Sequence, residues 1–416
     1  MKTLTRLLAL ALAFVLLTLP ALAEPAADDV LATVNGVPVT RAEYENILME
    51  LENSYGSYGY DVTSEPYASI LKQMAMLTSV EFKLLDEKLI SENQQLTDEE
   101  KADAAQDARE YWQSIIDGEL AYYGVTAETS EEERAAILLQ VLAMYEGAGY
   151  TEESYIEQAV RYASYDKMYE WIVRDVTVSE EEIRAHYEEL VQADMVAYQN
   201  DVAGYETMLD NNEMYLMWGM TDYYVDLYYV PEGFRQVTHI LLMGDEALQT
   251  AYAELLSDPA ADPAALEAAR AAVLADVKPT LDEISALLEN GASFAELIPM
   301  YTEDPGMADA AAIEAGYLVH PDSTKWVTEF RDAAFTVDEV GAVTEPVVTA
   351  YGVHVLQYVA DVPGGPVPYT DDMRALLGEE ILVGRQEACY SETIQSWVDA
   401  AEIVYAEEVQ ALMSGL

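Results

Sequence analysis

Val237-Thr238-His239-Ile240-Leu241-Leu242 and Tyr351-Gly352-Val353-His354-Val355-Leu356 decide how this chain is read. Each is a short apolar run with β-branched residues, the composition of a buried strand, and each carries one histidine. The chain has only 4 histidines in 416 residues, so two in matching contexts exceed what composition supplies. Between the runs lie Ser293-Phe294-Ala295-Glu296-Leu297, Tyr301-Thr302-Glu303-Asp304-Pro305-Gly306 and Glu329-Phe330-Arg331-Asp332-Ala333-Ala334-Phe335. Ser293 with Glu296 reads as a helix cap. Tyr317 to Val319 reads as a short strand and Val327 to Phe335 as a helix. Ala342 to Ala350 and Val353 to Ala360 read as two closing strands. Such mixed elements predict an α+β domain, an antiparallel sheet with helices packed around it.

The flanking chain is different in character. Leu31 to Val39 reads as a hairpin with an Asn35-Gly36 turn, and Thr40 with Glu43 forms a capping box. From there to about Trp171 the pattern is helical, with breaks near Asn53 to Ser64, Thr97 to Glu99 and Thr126 to Glu133. Ser179 and Glu182 form a second box before a helix from Glu180 to Leu190. Tyr198 to Tyr229 is rich in Met, Tyr and Trp, including Met214, Met217, Trp218 and Met220. It fits either adaptable contact surface for many partners or a pair of core helices in the N-terminal domain. In Asp245 to Asn290, Asp258-Pro259 and Asp262-Pro263 are breaks, and Ala264 to Val277 is a strong helix former. After Pro363-Gly364-Gly365-Pro366 comes a helical tail, Asp371 to Met413, interrupted by a strand at Glu402 to Tyr405.

Composition narrows the function. A hydrophobic content of 51% with 10% aromatics is that of a folded chain, despite a net charge of −57. That charge argues against nucleic acid or anionic lipid as partner. Lys2 and Arg6, the apolar stretch Leu7 to Leu19, and Ala21-Leu22-Ala23 have the pattern of a cleavable export signal over 1–23. No cysteine follows that apolar stretch, so no lipid anchor is expected. The lone Cys389 excludes an intramolecular disulfide framework. Motifs of serine hydrolases, zinc proteases, P-loops, dinucleotide folds and dithiol redox sites are absent from the sequence. Neither metal nor cofactor is expected.

The order of the two histidine strands, the Ser-Phe-Ala-Glu helix, the Tyr-Thr-Glu-Asp-Pro segment and the Glu-Phe-Arg-Asp-Ala-Ala-Phe helix resembles the parvulin family of peptidyl-prolyl cis/trans isomerases. Ala32 to Thr40 and Val176 to Tyr187 resemble segments of PrsA- and SurA-type N-terminal domains. This resemblance implies an export signal at 1–23, a mostly helical chaperone domain over 24–230, an isomerase domain over 231–365 and a helical segment 366–416 completing the N-terminal domain. Its isomerase sheet would have four antiparallel strands. Matched residue by residue, it implies catalytic roles for His239, Asp304, His354 and Thr349. It places Trp326, Phe330, Ala315 and Phe335 around the proline ring. The family's glycine-rich wall reads here Ala312-Ile313-Glu314-Ala315-Gly316. The 245–290 stretch, longer than the family needs, reads as decoration.

The implied activity is isomerisation of X-Pro bonds in unfolded or partly folded exported proteins, outside the cytoplasm. A holdase that only binds peptide through this domain is the first alternative, and an acidic surface scaffold the second. The sequence leaves a homodimer open.

Overall fold

The computed structural model describes residues 29–414 apart from Ala148, so the export signal expected over 1–23 lies outside the described residues. The chain divides into two compact units. Among the described residues, one comprises 29–178 together with 379–414, and the other is Ser179–Gly378.

In the first unit, strands β1 (Val30–Val34) and β2 (Val37–Thr40) form the hairpin read from Asn35-Gly36. Both turn residues have positive φ, 49° and 84°, as a tight primed turn requires. Thr40 and Glu43 close the capping box of helix α1 (Arg41–Ser57). Helices α2 (Tyr67–Ser91), α3 (Asp98–Tyr122), α4 (Glu131–Gly147) and α5 (Glu152–Val173) follow. The far end of the chain returns to this unit. Of the long helix α13 (Asp371–Ala400), the part from 379 on carries Ile394, Trp397 and Val398 against Leu85, Leu89 and Met168. Strand β9 (Ile403–Tyr405) then pairs antiparallel with β1, and Val409 of α14 (Glu407–Met413) packs with Met76, Val80 and Leu84. Full burial of a side chain of this size contributes about 1.5–3 kcal/mol.

The second unit contains a four-stranded antiparallel sheet in the order β5-β4-β7-β6. Its strands are β4 (Arg235–Leu242), β5 (Tyr317–Val319), β6 (Val347–Thr349) and β7 (Gly352–Asp361). Strand β6 is shorter than the sequence suggests. Pro346 has no N–H to give the ladder, and upstream of it only an isolated bridge between Val343 and Gln357 survives. The unit also reaches beyond the 231–365 span read from the sequence. Helices α6 (Glu180–Tyr198) and α7 (Val202–Met217) belong to it, and β3 (Tyr229–Val230) pairs with β8 (Gly365–Pro366). The Tyr187 hydroxyl donates to the Val367 carbonyl at 2.6 Å, and Tyr205 of α7 packs its ring 5.6 Å from that of Phe234.

The 245–290 stretch is not decoration. It forms α8 (Glu246–Ser257) and α9 (Pro263–Glu289), the latter running past Val277 and through Pro279 to Glu289. Tyr252, Val273, Val277, Leu281 and Ile284 are buried against Ile240, Leu242, Val353 and Val355. These two helices, with α10 (Phe294–Tyr301), supply the core on the rear face of the sheet.

Candidate functional site: a histidine pair on the front of the sheet

Side chains alternate along a strand, so Ile240 and Leu242 of β4, with Val353 and Val355 of β7, face the rear helices. His239 and His354 therefore share the front face with Val237 and Leu356. In the β4–β7 register His239 lies opposite Leu356, and Leu241 opposite His354, so the two histidines are diagonal neighbours. Their rings stack with centroids 5.2 Å apart and planes 16° from parallel, and Nδ1 of one is 3.1 Å from Nδ1 of the other.

The pair is the middle of a longer chain of hydrogen bonds. On one side, His239 Nε2 is 2.5 Å from Asp304 Oδ2, which also accepts from the Tyr317 hydroxyl at 2.8 Å. Asp304 Oδ1 accepts from the Gly306 N–H at 2.9 Å. On the other side, Thr349 Oγ1 is 2.9 Å from His354 Nε2 and accepts from the Tyr351 N–H at 3.0 Å. When both rings are neutral and Asp304 is ionised, one proton arrangement links these four side chains, leaving only the 3.4 Å contact of Thr349 Oγ1 with the Gly352 carbonyl unmade. Thr349 donates to His354 Nε2, His354 Nδ1–H donates to His239 Nδ1, and His239 Nε2–H donates to Asp304.

Electrostatics supports the states of His354 and Asp304 in it. Burial pushes the pKa of His354 down to about 3, helped by the neighbouring His239, so His354 is neutral at physiological pH. The hydrogen bond from His239 holds the Asp304 carboxyl well below the usual carboxylate range, with Gly306 and Tyr317 adding to it against partial burial. Burial, then the bond to Asp304, raises the Tyr317 phenol.

An aromatic wall encloses the network. Phe330, on α12 (Thr328–Ala333), meets both histidines edge-on, with centroids 5.2 Å from each. Trp326 lies 5.3 Å from Phe330 and 4.7 Å from Tyr317, its indole N–H anchored to the Leu318 carbonyl at 2.8 Å. The structure thus brings together His239, His354, Asp304, Thr349, Phe330 and Trp326. Of the other two residues matched from the sequence, Phe335 joins the same apolar cluster as Phe330 and Trp326, and Ala315 does not. Ala315 ends the short helix α11 (Ala310–Ala315), exposed, its carbonyl accepting from Gln236. Phe335 packs beneath Arg235, whose guanidinium sits 4.8 Å from its ring centroid.

Tyr317 was missed as a site residue, because as the first residue of a short strand it reads as core. The signal was Gly306. A Cβ there would sit 1.8 Å from the Tyr317 hydroxyl, so only glycine lets that hydroxyl reach Asp304. Thr302 was missed as well; its hydroxyl accepts from the N–H groups of Leu241 and Asp304, tying the loop to β4. Among the described residues, no group of three or more His, Cys, Asp or Glu side chains is placed to hold a metal ion.

Comparison with known proteins agrees with this geometry. Residues 249–360 match the family model described as the PPIC-type PPIase domain, or rotamase. His239 precedes the matched span and joins it through β4. The chain is 38% identical over 85 residues to the foldase protein PrsA of Geobacillus sp. strain WCH70, covering 20% of this chain and 29% of that one. It is 33% identical over 111 residues to the chaperone SurA of Pseudomonas syringae pv. tomato, covering 27% and 23%. The matches thus span between a fifth and a third of these relatives' length. A solved SurA-like chaperone of Campylobacter jejuni aligns over 75% of this chain and 96% of its own, at 16% identity and a TM-score of 0.30, too low to carry weight. The segment 249–360, which holds Asp304 and His354, thus resembles a PPIC-type rotamase domain.

Proposed function

We propose that the chain is a peptidyl-prolyl cis/trans isomerase and folding chaperone for exported proteins, acting on X-Pro bonds in unfolded or partly folded segments. The observation that carries this reading is the continuous hydrogen-bonded chain from Thr349 through both histidines to Asp304, set against the Phe330–Trp326–Tyr317 wall.

Rotation about an X-Pro amide is opposed by the partial double bond of its C–N link, a barrier of ~18–20 kcal/mol. Water stabilises the planar form by hydrogen-bonding the polarised carbonyl. An apolar cup for the pyrrolidine ring and a dry, preorganised polar site beside the carbonyl lower the barrier with no covalent step. Phe330 and Trp326 serve as the cup. Asp304 is the charged end of the network, 18% exposed, and His239 holds it in place. His354 and Thr349 act as positioning residues through His239. The acidic surface keeps the protein soluble among aggregating clients. Export rests on the pattern of residues 1–23.

The test is exchange spectroscopy, or a protease-coupled assay, on unmodified X-Pro peptides with the full chain. Acceleration over buffer, lost in Asp304→Ala, supports the reading. A rate equal to buffer at high protein concentration leaves the holdase, which only binds peptide.

A further inference from the structure

The Met-, Tyr- and Trp-rich stretch after Tyr198 does not form a pair of core helices of an N-terminal domain. It lies in the unit that holds the histidine pair, and its second half is exposed. Leu216, Met217, Trp218, Tyr223, Tyr224 and Val225 are between 42% and 73% exposed. This exposure belongs to a built structure. Buried Asn212 clamps the returning chain with two hydrogen bonds, donating to the Val225 carbonyl at 2.7 Å and accepting from the Val225 N–H at 3.0 Å. Gly219 makes the reversal with φ of 69°, and Tyr215 packs 5.6 Å from Tyr223.

Helix α7 also points this arm at the site. Tyr205 and Leu209 pack on Phe234 and Leu318, and Leu318 is the residue that anchors the Trp326 indole. One position on, Asp210 pairs with Lys325 at 2.5 Å, and the Lys325 ammonium lies over the Trp326 ring at 5.3 Å. Glu213 is close enough to Tyr317 for its charge to help raise that phenol. Residues 210, 213 and 217 fall on one helix face, so Met217 continues the face that borders the aromatic wall. At 1.5 Å per residue, Met217 stands ~10 Å further along the axis than Asp210. Allowing a side chain's length to the wall, the arm lies about 10–15 Å from the proline position, a gap spanned by roughly three to five extended residues.

We propose that this arm is a second subsite for the same client chain: it takes an aromatic or large aliphatic side chain three to five residues from the X-Pro bond held at the histidine site. The inference rests on the isomerase reading of that site. An apolar occupant follows from the exposed Met, Leu and Trp surface, and its place in the client follows from the arm's continuity with the wall. Asp222 and Asp226 in the same loop favour clients with Lys or Arg beside the apolar residue. Engaging both subsites makes the second contact intramolecular and lowers KM without a new catalytic group.

The experiment compares, on the full chain, a short Ala-Ala-Pro-Ala peptide with longer peptides carrying Trp or Ser four residues before or after the proline. Isomerisation is read by NMR exchange, and binding by fluorescence anisotropy of labelled peptides. For at least one placement, Trp should lower KM and Kd roughly tenfold relative to Ser, equivalent to about 1.4 kcal/mol. The double variant Met217→Ser/Trp218→Ser should erase that difference and leave turnover of the short peptide unchanged. Equal KM and Kd for the Trp and Ser peptides in the parent, or an advantage that survives the double variant, overturns the arm. Failure to turn over any peptide overturns the isomerase reading instead, and anisotropy still decides whether the arm binds.

Discussion

Replacing Asp304 by Asn tests the network where its charge resides. The carboxylate accepts from His239 and Tyr317 through Oδ2 and from the Gly306 N–H through Oδ1. An Asn oxygen can still accept from His239 and Tyr317, but its NH2 then faces the Gly306 N–H, donor against donor. One backbone cap is lost, about 1 kcal/mol. A charge-assisted bond to buried His239 also becomes a neutral one, roughly another 1 kcal/mol once solvent access to Asp304 is allowed for. The expected loss at pH 7 is about 2 kcal/mol. Because the folded pKa of Asp304 is depressed, the parent's advantage is present above the unfolded value of about 3.9 and fades as pH falls below it. At about pH 3 the unfolded carboxyl is mostly protonated while the folded one is not, so about 1.2 kcal/mol of the advantage is gone. Hydrogen exchange of the β4 and β7 amides, compared between parent and variant at each pH, measures both numbers. On X-Pro peptides, kcat/KM should fall at least tenfold. A stability difference unchanged between pH 7 and pH 3 would refute the claim that a buried-side carboxylate anchors the histidine pair.

Three further outcomes follow from the same structure. Peptides with phosphorylated Ser before Pro should be poorer substrates than their unmodified counterparts. The loop after β4 is Met243-Gly244-Asp245-Glu246, and the Met243 N–H is already bound by Glu303, so competition kinetics preferring the phosphopeptide would reverse this. Ile284→Ala, in a helix that the sequence alone suggests is dispensable, should cost about 2–4 kcal/mol, read as lost exchange protection in β4; a cost near zero would return α9 to decoration. Ending the chain after Ala401 removes β9 and α14 and uncovers Leu31, Val34, Met76 and Val80; urea unfolding by circular dichroism should show the helical unit melting earlier, and an unchanged midpoint would refute its dependence on the tail.

Much of the fold was legible because the deciding signals are local. Asn35-Gly36 needs no distant partner to make its turn, nor do Thr40 with Glu43, Ser179 with Glu182, or Ser293 with Glu296 to cap their helices. Period-two alternation places His239 and His354 on a face opposite Ile240 and Val355 as soon as both runs are strands. The resemblance assigned the tail to the N-terminal domain, without naming β1 and α2 as the places where β9 and α14 dock.

What only the tertiary structure decided depends on residues far apart in the chain. The β4–β7 register, set over more than a hundred intervening residues, brings Nδ1 of one histidine to 3.1 Å from that of the other. Tyr317 reaches Asp304 only because Gly306 leaves room for its hydroxyl. Ala315 and Phe335 match by position in the sequence, yet α11 leaves the first in solvent, while the second packs with Phe330 and Trp326 beneath Arg235. Helices α8 and α9 look like an insertion in one dimension, while in three they fill the space behind the sheet. The Met- and Tyr-rich stretch had two readings, core or surface, and composition cannot choose between them. Burial is set by what else packs nearby, and Asn212, Phe234 and Lys325 made that choice. Local chemistry determined the elements of this protein; long-range packing determined which of their side chains meet.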